Sequence, residues 1–354
     1  MSSRSKKILL LLLAVALLAG IAPVQNSMND DRERLGLTRI EPLENAPPVL
    51  AFTTVALGGF RGLIANVLWI RASKLQDDDK FFEMAQLADW ITKLEPHFVQ
   101  VWIEQAWNMA YNISVKFKNF SDRWRWVQHG ISLLRDEGLR YNPDSLLMYR
   151  ELAWFFQHKM GENLDDANMY YKSHWAKDMT EILGGGRPDF AALINPQTEK
   201  QRKDGEILRD KYKLDPQFMK EVDERYGPLD WRLPDAHAIY WAALGLRKAT
   251  QNPVRVHQDD LITLHRVIYQ SMNASVIRGW LVDNPFTKTF DFGPDLDIIP
   301  KTNKAYEDAI EEDAKNRENI KTAHRNFLRD AVYLLYENDR VPEAQKWFDY
   351  LGKK

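Results

Sequence analysis

Apolar residues recur at spacings of three and four through residues 81–179, the period of helices with one buried face, and strand-like alternation is scarce there. The same stretch carries its own stops. Pro96 and Pro143 end two helices because proline has no amide donor, and Gly184, Gly185 and Gly186 end a third. Between the stops the pattern predicts helices in pairs: residues 63–75 with "FFEMAQLADWITKLEP", "VWIEQAWNM" with "RWRWVQHGISLLRDEGLRYNP", and "MYRELAWFF" with "DDANMYYKSHWAKDMTEIL". Further along, "DAHAIYWAALGLRKA", with Asp235 read as its N-cap, pairs with "DDLITLHRVIYQSMNASVIRGWL", and "NFLRDAVYLLYENDRVPEAQKWFDYLGKK" supplies a last pair. The expected fold class is all-α, a series of helix-turn-helix units.

Polar breaks divide the chain. Residues 1–25 set Arg4, Lys6 and Lys7 ahead of the uncharged run "ILLLLLAVALLAGIA", the order of an export signal, either cleaved as a signal peptide or kept as a signal anchor. The basic side stays cytoplasmic, so the body is expected on the far side: periplasmic and held at the inner membrane, or secreted if the signal is cut. Residues 26–48 are polar, end in Pro47-Pro48 and read as a tether, and 49–184 hold the N-terminal hairpins. Residues 185–234, rich in Gly, Pro and charge, read as an irregular insertion with one short helix near "PQFMKEVDERYG". A further hairpin follows over 235–285, a loop over 286–304 and the last hairpin over 305–354. The apolar stretch over 49–57 is too short to span a bilayer and is expected to cap the open end of the first hairpin.

Leu68 and Ala72 are followed after 34 residues by Trp102 and Ala106, and after 47 more by Tyr149 and Ala153, each pair four apart and so on one helix face. The last pair of helices sets Phe327 with Ala331, and Ala344 with Phe348. In these residues, the 34-residue period and the terminal prolines, the chain resembles the tetratricopeptide repeat family in a bacterial exported or membrane-anchored form. The units diverge from that pattern: the first has Met84 or Ala85 at a small position, the second is about 13 residues too long, and the third lacks its proline. The competing reading is one irregular helical domain in which Trp, Tyr and Ala recur through composition. The resemblance implies a repeat solenoid with a binding groove lined by the first helix of each unit. It implies groove positions at Asn66, Trp69 and Ser73, at Gln100, Ile103 and Trp107, and at Leu147, Arg150 and Trp154, with Asn108, Tyr111 and Gln157 beside them. An aromatic face carrying amides suits a protein segment or a sugar surface, whereas the alternative packs Trp107 and Trp154 between neighbouring units.

Composition narrows the chemistry. Forty-eight basic against 50 acidic residues, a net charge of -2 and no polybasic tract argue against nucleic acid. The absence of cysteine excludes disulfides, thiolate metal sites and a cysteine nucleophile. The histidines lack the spacing of a helical zinc site, and Asp291, Asp295 and Asp297 lack the glycine and glutamate of a calcium loop, so no metal is expected. No phosphate-cradling loop or nucleophile elbow is present, and neither a cofactor nor a catalytic residue is assigned. Glu104, among aromatic residues, is the one carboxylate weighed as a proton donor. The expected function is a membrane-tethered extracytoplasmic scaffold or adaptor that binds a partner protein in a cell-envelope assembly. The alternative is an envelope glycan-binding subunit or polysaccharide-processing enzyme.

Overall fold

In the computed structural model the protein is described at residues 60–354, apart from 252–255, 285, 287 and 288, and at 23, 27, 28, 30 and 31. The signal or anchor, the tether and the cap over 49–57 therefore lie outside the described residues save for those isolated positions. The chain divides into two units, Met1–Phe52 and Thr53–Lys354, and every element named below belongs to the second.

The described residues are mostly helical. α1 (Phe60–Asp77) packs on α2 (Phe81–Leu94). α3 (Val99–Trp107) runs on as a π turn over Asn108–Ile113 and packs on α4 (Phe120–Ser132), which itself runs on through a π turn over Leu133–Gly138. α5 (Leu146–Trp154) starts from Ser145, whose hydroxyl accepts from the Met148 amide, and continues as a π turn over Phe155–Gly161 against α6 (Asn168–Leu183). Three short helices follow, α7 (Phe190–Ile194), α8 (Glu199–Asp210) and α9 (Pro216–Tyr226). α10 (Pro234–Gln251) pairs with α11 (Gln258–Arg278), and a hairpin of β1 (Trp280–Asn284) and β2 (Thr289–Gly293) leads to α12 (Ile299–Glu312), α13 (Arg317–Glu337) and α14 (Val341–Leu351). Among the described residues no helix is long and apolar enough to cross a membrane.

α10 is the axis of the main core. Every residue from 234 to 243 is buried, and the helix meets α5, the π turn after α5, α9 and α11. A helix enclosed on all sides needs small residues where its neighbours approach, and Ala236, Ala238, Ala242, Ala243 and Ala249 supply them. Gly245 allows the closest approach: a Cβ there would stand 2.9 Å from the Tyr149 Cβ. Around this axis Trp231, Tyr240, Tyr171, Phe155 and Phe156 are fully buried and belong to one continuous cluster. A second core lies around Tyr306, Phe327, Leu328 and Trp347 in the C-terminal helices.

The stretch leading into α10 is held by ionic contacts. Asp230 is buried and bonds Arg232 through both carboxylate oxygens, at 2.9 Å to Nε and 2.6 Å to Nη2. The same carboxylate accepts from the Leu281 amide at 3.0 Å while Arg232 donates to the Leu281 carbonyl at 2.9 Å, so one ion pair pins β1. Gly186 lies against it, where a Cβ would fall 2.5 Å from the carboxylate, and the Trp231 amide donates to the Gly186 carbonyl at 2.8 Å. Trp231 also donates its indole N–H to Asp223 at 2.9 Å and accepts from His237 Nε2 at 2.9 Å.

Several local expectations change. Residues 185–234 carry three capped helices, including a Thr198–Gln201 capping box, and contribute Leu193, Leu208, Phe218, Met219, Val222 and Trp231 to the main core. Asp235 is not an N-cap: Pro234 opens the helix, and Asp235 is buried inside its first turn. The loop expected over 286–304 holds β2 and the start of α12. In the last hairpin the packed aromatic is Trp347, while Phe348 is 60% exposed.

Asp230→Ala leaves Arg232 buried without its carboxylate. Urea unfolding is expected to show a loss of about 3–5 kcal/mol, the cost of removing one member of a buried pair. A loss below about 1 kcal/mol would show that water replaces the lost carboxylate.

Candidate functional site

The π turns after α3 and α5 bring two aromatic pairs together. A π turn re-aims the side chains that follow it and is common at functional sites. Trp107 stacks on Tyr111 with centroids 4.4 Å apart, and Trp154 stacks on His158 at 4.6 Å and 12°. The Tyr111 hydroxyl lies 3.1 Å from His158 Nδ1 and joins the two pairs, while buried Phe155 backs Trp107 at 6.1 Å and Tyr111 at 5.8 Å. Burial, with the Glu151 carboxylate next, pushes the Tyr111 phenol above its usual range; burial holds His158 low against the opposing pull of Glu162. The phenol therefore keeps its proton, and the His158 tautomer sets which of the two groups donates. Glu151, buried below, accepts the Trp107 indole N–H at 2.7 Å and bonds Arg150 through its other oxygen. The result is a half-buried ridge of four rings set on two helices.

His158 lines a cavity of 480 Å³ with Tyr111, Val115, Arg123, Lys159 and Leu164. Its base is an ion pair: Lys159 Nζ lies 2.6 Å from Asp165, which also accepts from Arg123 at 3.2 Å, the Tyr171 hydroxyl at 3.0 Å and the Ala167 amide at 2.9 Å. Burial acts upward on the Asp165 carboxyl, but these donors hold it below the ordinary carboxylate range. On its rim Leu164 is 73% and Val115 47% exposed, beside the exposed Asp166 carboxylate paired with Arg123.

His158 also lines a second cavity, of 380 Å³, with Trp154, Gln157, Glu162, Asn273, Ala274, Ile277 and Arg278 among its walls. Around it lie two cations and two carboxylates. Arg278 bonds Glu162 at 3.1 Å and faces Asp235 at 3.7 Å, and Lys172 donates to Asn163 at 2.8 Å and Asn168 at 3.1 Å. Burial raises the Asp235 carboxyl to about 6 despite Arg278, and lowers the Lys172 ammonium to about 8 with help from Arg278.

The structure gathers Trp107, Tyr111, Arg150 and Trp154 at the ridge. Gln157 and Asn108 sit beside it on the π turns, both buried: Gln157 Nε2 donates to the Val267 carbonyl and the Ser271 hydroxyl, and Asn108 donates to the Phe81 carbonyl. Ile103 is buried in the core and Leu147 packs against it. Gln100 is exposed and donates to Glu104 at 3.0 Å; Asn66 and Ser73 are exposed on α1, where Trp69 packs on Phe98 at 5.6 Å. His158, Asn273 and Arg278 line the cavities and Glu151 anchors the ridge, none of them singled out as groove residues. His158 was the most accessible of these, one turn beyond Trp154 on the same face. Among the described residues no group of three or more histidine or acidic side chains is placed to hold a metal ion. No family model, curated protein or solved structure matches the chain.

Asp235 gives the site a measurable signature. Its folded value of about 6 exceeds the ordinary 3.8, so between these limits the native state binds more protons than the unfolded chain, and stability falls as pH rises through that window. Asp235→Asn removes this term and is expected to raise stability at pH 7 by up to about 3 kcal/mol, with little change at pH 3.5. Denaturant titrations at the two pH values check it. A destabilised variant at pH 7 would mean that Arg278 and Lys172 hold Asp235 as a net favourable carboxylate.

Proposed function

We propose that the protein is a helical-repeat adaptor of the tetratricopeptide type. On this reading its N-terminal apolar run tethers it to the membrane and its helical body, on the extracytoplasmic side, engages a segment of a partner protein in an envelope assembly. The tether rests on the basic residues preceding "ILLLLLAVALLAGIA". Support for the repeat reading comes from successive helix pairs in contact, α1 with α2, α3 and its π turn with α4, α10 with α11 and α13 with α14. The small members of the four-apart pairs, Ala72, Ala106 and Ala153, are all buried.

The observation that carries partner binding is the half-exposed ridge of Trp107, Tyr111, His158 and Trp154 beside a cavity rimmed by Leu164 and Val115. Rigid aromatic rings next to exposed apolar side chains are the composition of interface hot spots, where a partner side chain gains area without ordering flexible groups. The buried Lys159–Asp165 pair gives the cavity a fixed polar floor.

The test is photo-crosslinking in the intact membrane-borne chain. A photoreactive residue at Val115 is expected to give one discrete adduct, and Leu164→Asp is expected to abolish it without changing the melting temperature. Equal labelling from Lys200 on α8, or an adduct insensitive to Leu164→Asp, would contradict the assignment.

A further inference from the structure

A cleft of 540 Å³ opens between α9, α10 and α11, within the roughly 300–1,000 Å³ of small-molecule sites, and a recess of 170 Å³ opens beside it between α9, α11 and α12. Arg225, Tyr226 and His265 line both. Each of the three presents a polar group that solvent reaches and that no described residue pairs. Arg225 is exposed and lies over the Tyr226 ring at 5.1 Å, with no hydrogen bond or ion pair of its own. Tyr226 is 8% exposed, yet its hydroxyl is not sealed from solvent and bonds to nothing. His265 donates its Nδ1–H to the Glu312 carboxylate at 2.5 Å, since a carboxylate only accepts, and Nε2 on this 34% exposed side chain is left as an open acceptor. The other cations of the two walls are taken: Lys301 donates to the Glu224 carbonyl at 2.6 Å, Lys304 pairs with Asp308 at 2.6 Å, and Arg247 faces Glu221 at 3.5 Å.

The occupant's chemistry follows from these open groups. Arg225 and Arg247 face the single carboxylate of Glu221 around the cleft, and Arg225, Lys301 and Lys304 face Asp308 and Glu312 around the recess, so each carries one excess cation and favours an anion. Burial holds the Tyr226 phenol above its usual range against the pull of Arg225, so it stays protonated and donates. Two donors, Arg225 and Tyr226, match the oxygens of a carboxylate, and the guanidinium fork suits that group in particular. His265 Nε2 needs an O–H instead, which a bare carboxylate lacks and a neighbouring hydroxyl supplies. Half-buried Leu246 and Leu261, with the Phe218 ring beside them, form an apolar wall in the cleft. We propose that the cleft binds a small hydroxy acid with an apolar body, its carboxylate on Arg225 and Tyr226, its hydroxyl on His265 and its body on Leu246, Leu261 and Phe218. The assignment does not rest on partner binding at the ridge, and the two stand or fall on separate measurements.

Isothermal titration of the full detergent-solubilised chain tests it, with 3-phenyllactate as the probe. Three counterparts each lack one feature: 3-phenylpropionate the hydroxyl, 3-phenylpropane-1,2-diol the charge and lactate the apolar body. Saturable binding of 3-phenyllactate is expected, with each counterpart weaker by about ten-fold. Arg225→Gln removes the open cation and is expected to weaken 3-phenyllactate about ten-fold or more. Tyr226→Phe removes a hydroxyl that bonds to nothing in the chain, so it is expected to leave the ligand-free melting temperature unchanged while weakening binding about five-fold. No saturable binding of 3-phenyllactate, the diol or 3-phenylpropionate binding as tightly, or both variants binding like the wild type would overturn the proposal.

Discussion

The structure depends on the complete burial of the first ten residues of α10, 234 to 243. An all-round buried helix has no solvated face on which to place charge, so nearly every residue from 234 to 243 is apolar or small, and the exceptions, Asp235 and His237, need special surroundings. His237 gives its Nε2 proton to the Trp231 carbonyl and sits in a cage of Phe156, Trp175 and Trp231, and burial lowers it to about 4. It is therefore neutral at physiological pH and behaves as a packed aromatic ring. Asp235 instead faces Arg278 at the back of the smaller cavity. One residue serves the core and the other lies behind the candidate site, two positions apart on the same helix.

From this axis the site is built outward. The contact of α10 with α5, made close by Gly245 opposite Tyr149, fixes the helix that ends in Trp154 and His158. Its contact with α11 fixes Asn273 and Arg278 on the other wall. The ridge is then completed from α3 by Trp107 and Tyr111, whose anchors, Glu151 and His158, belong to α5 and its π turn. Displacing α10 would move both walls of one cavity and one wall of the other. This is why buried polar groups are tolerable here: rigid packing on three sides holds Gln157 and Arg278 in place, where a looser fold would let them turn toward water.

Helix pairs and their ends were legible because their signals are local. Pro96 and Pro143 stop helices by backbone chemistry, and the four-apart pairs at Trp102 with Ala106 and Tyr149 with Ala153 place a face without tertiary information. Residues 185–234 were opaque for the opposite reason. Glycine, proline and charge dominate the windows, while Leu193, Leu208 and Phe218 are spread over three short helices, and Trp231 over the turn after them, so that no single period describes them. The Asp230–Arg232 pair looks like ordinary surface polarity until β1 folds over it, some 50 residues later. At the site, aromatic residues at helical spacing disclosed the ridge, but the second cavity needs α11 against α5, more than 100 residues apart, and no local pattern reports that.

Native-state hydrogen exchange on the full chain tests the central claim, that α10 is the element on which the rest is assembled. The account predicts that amides of α10 and of the facing part of α5 exchange together and last, through global unfolding only, after those of the terminal hairpin α13–α14. Exchange of α10 before α13 and α14, or uncoupled from α5, would contradict it.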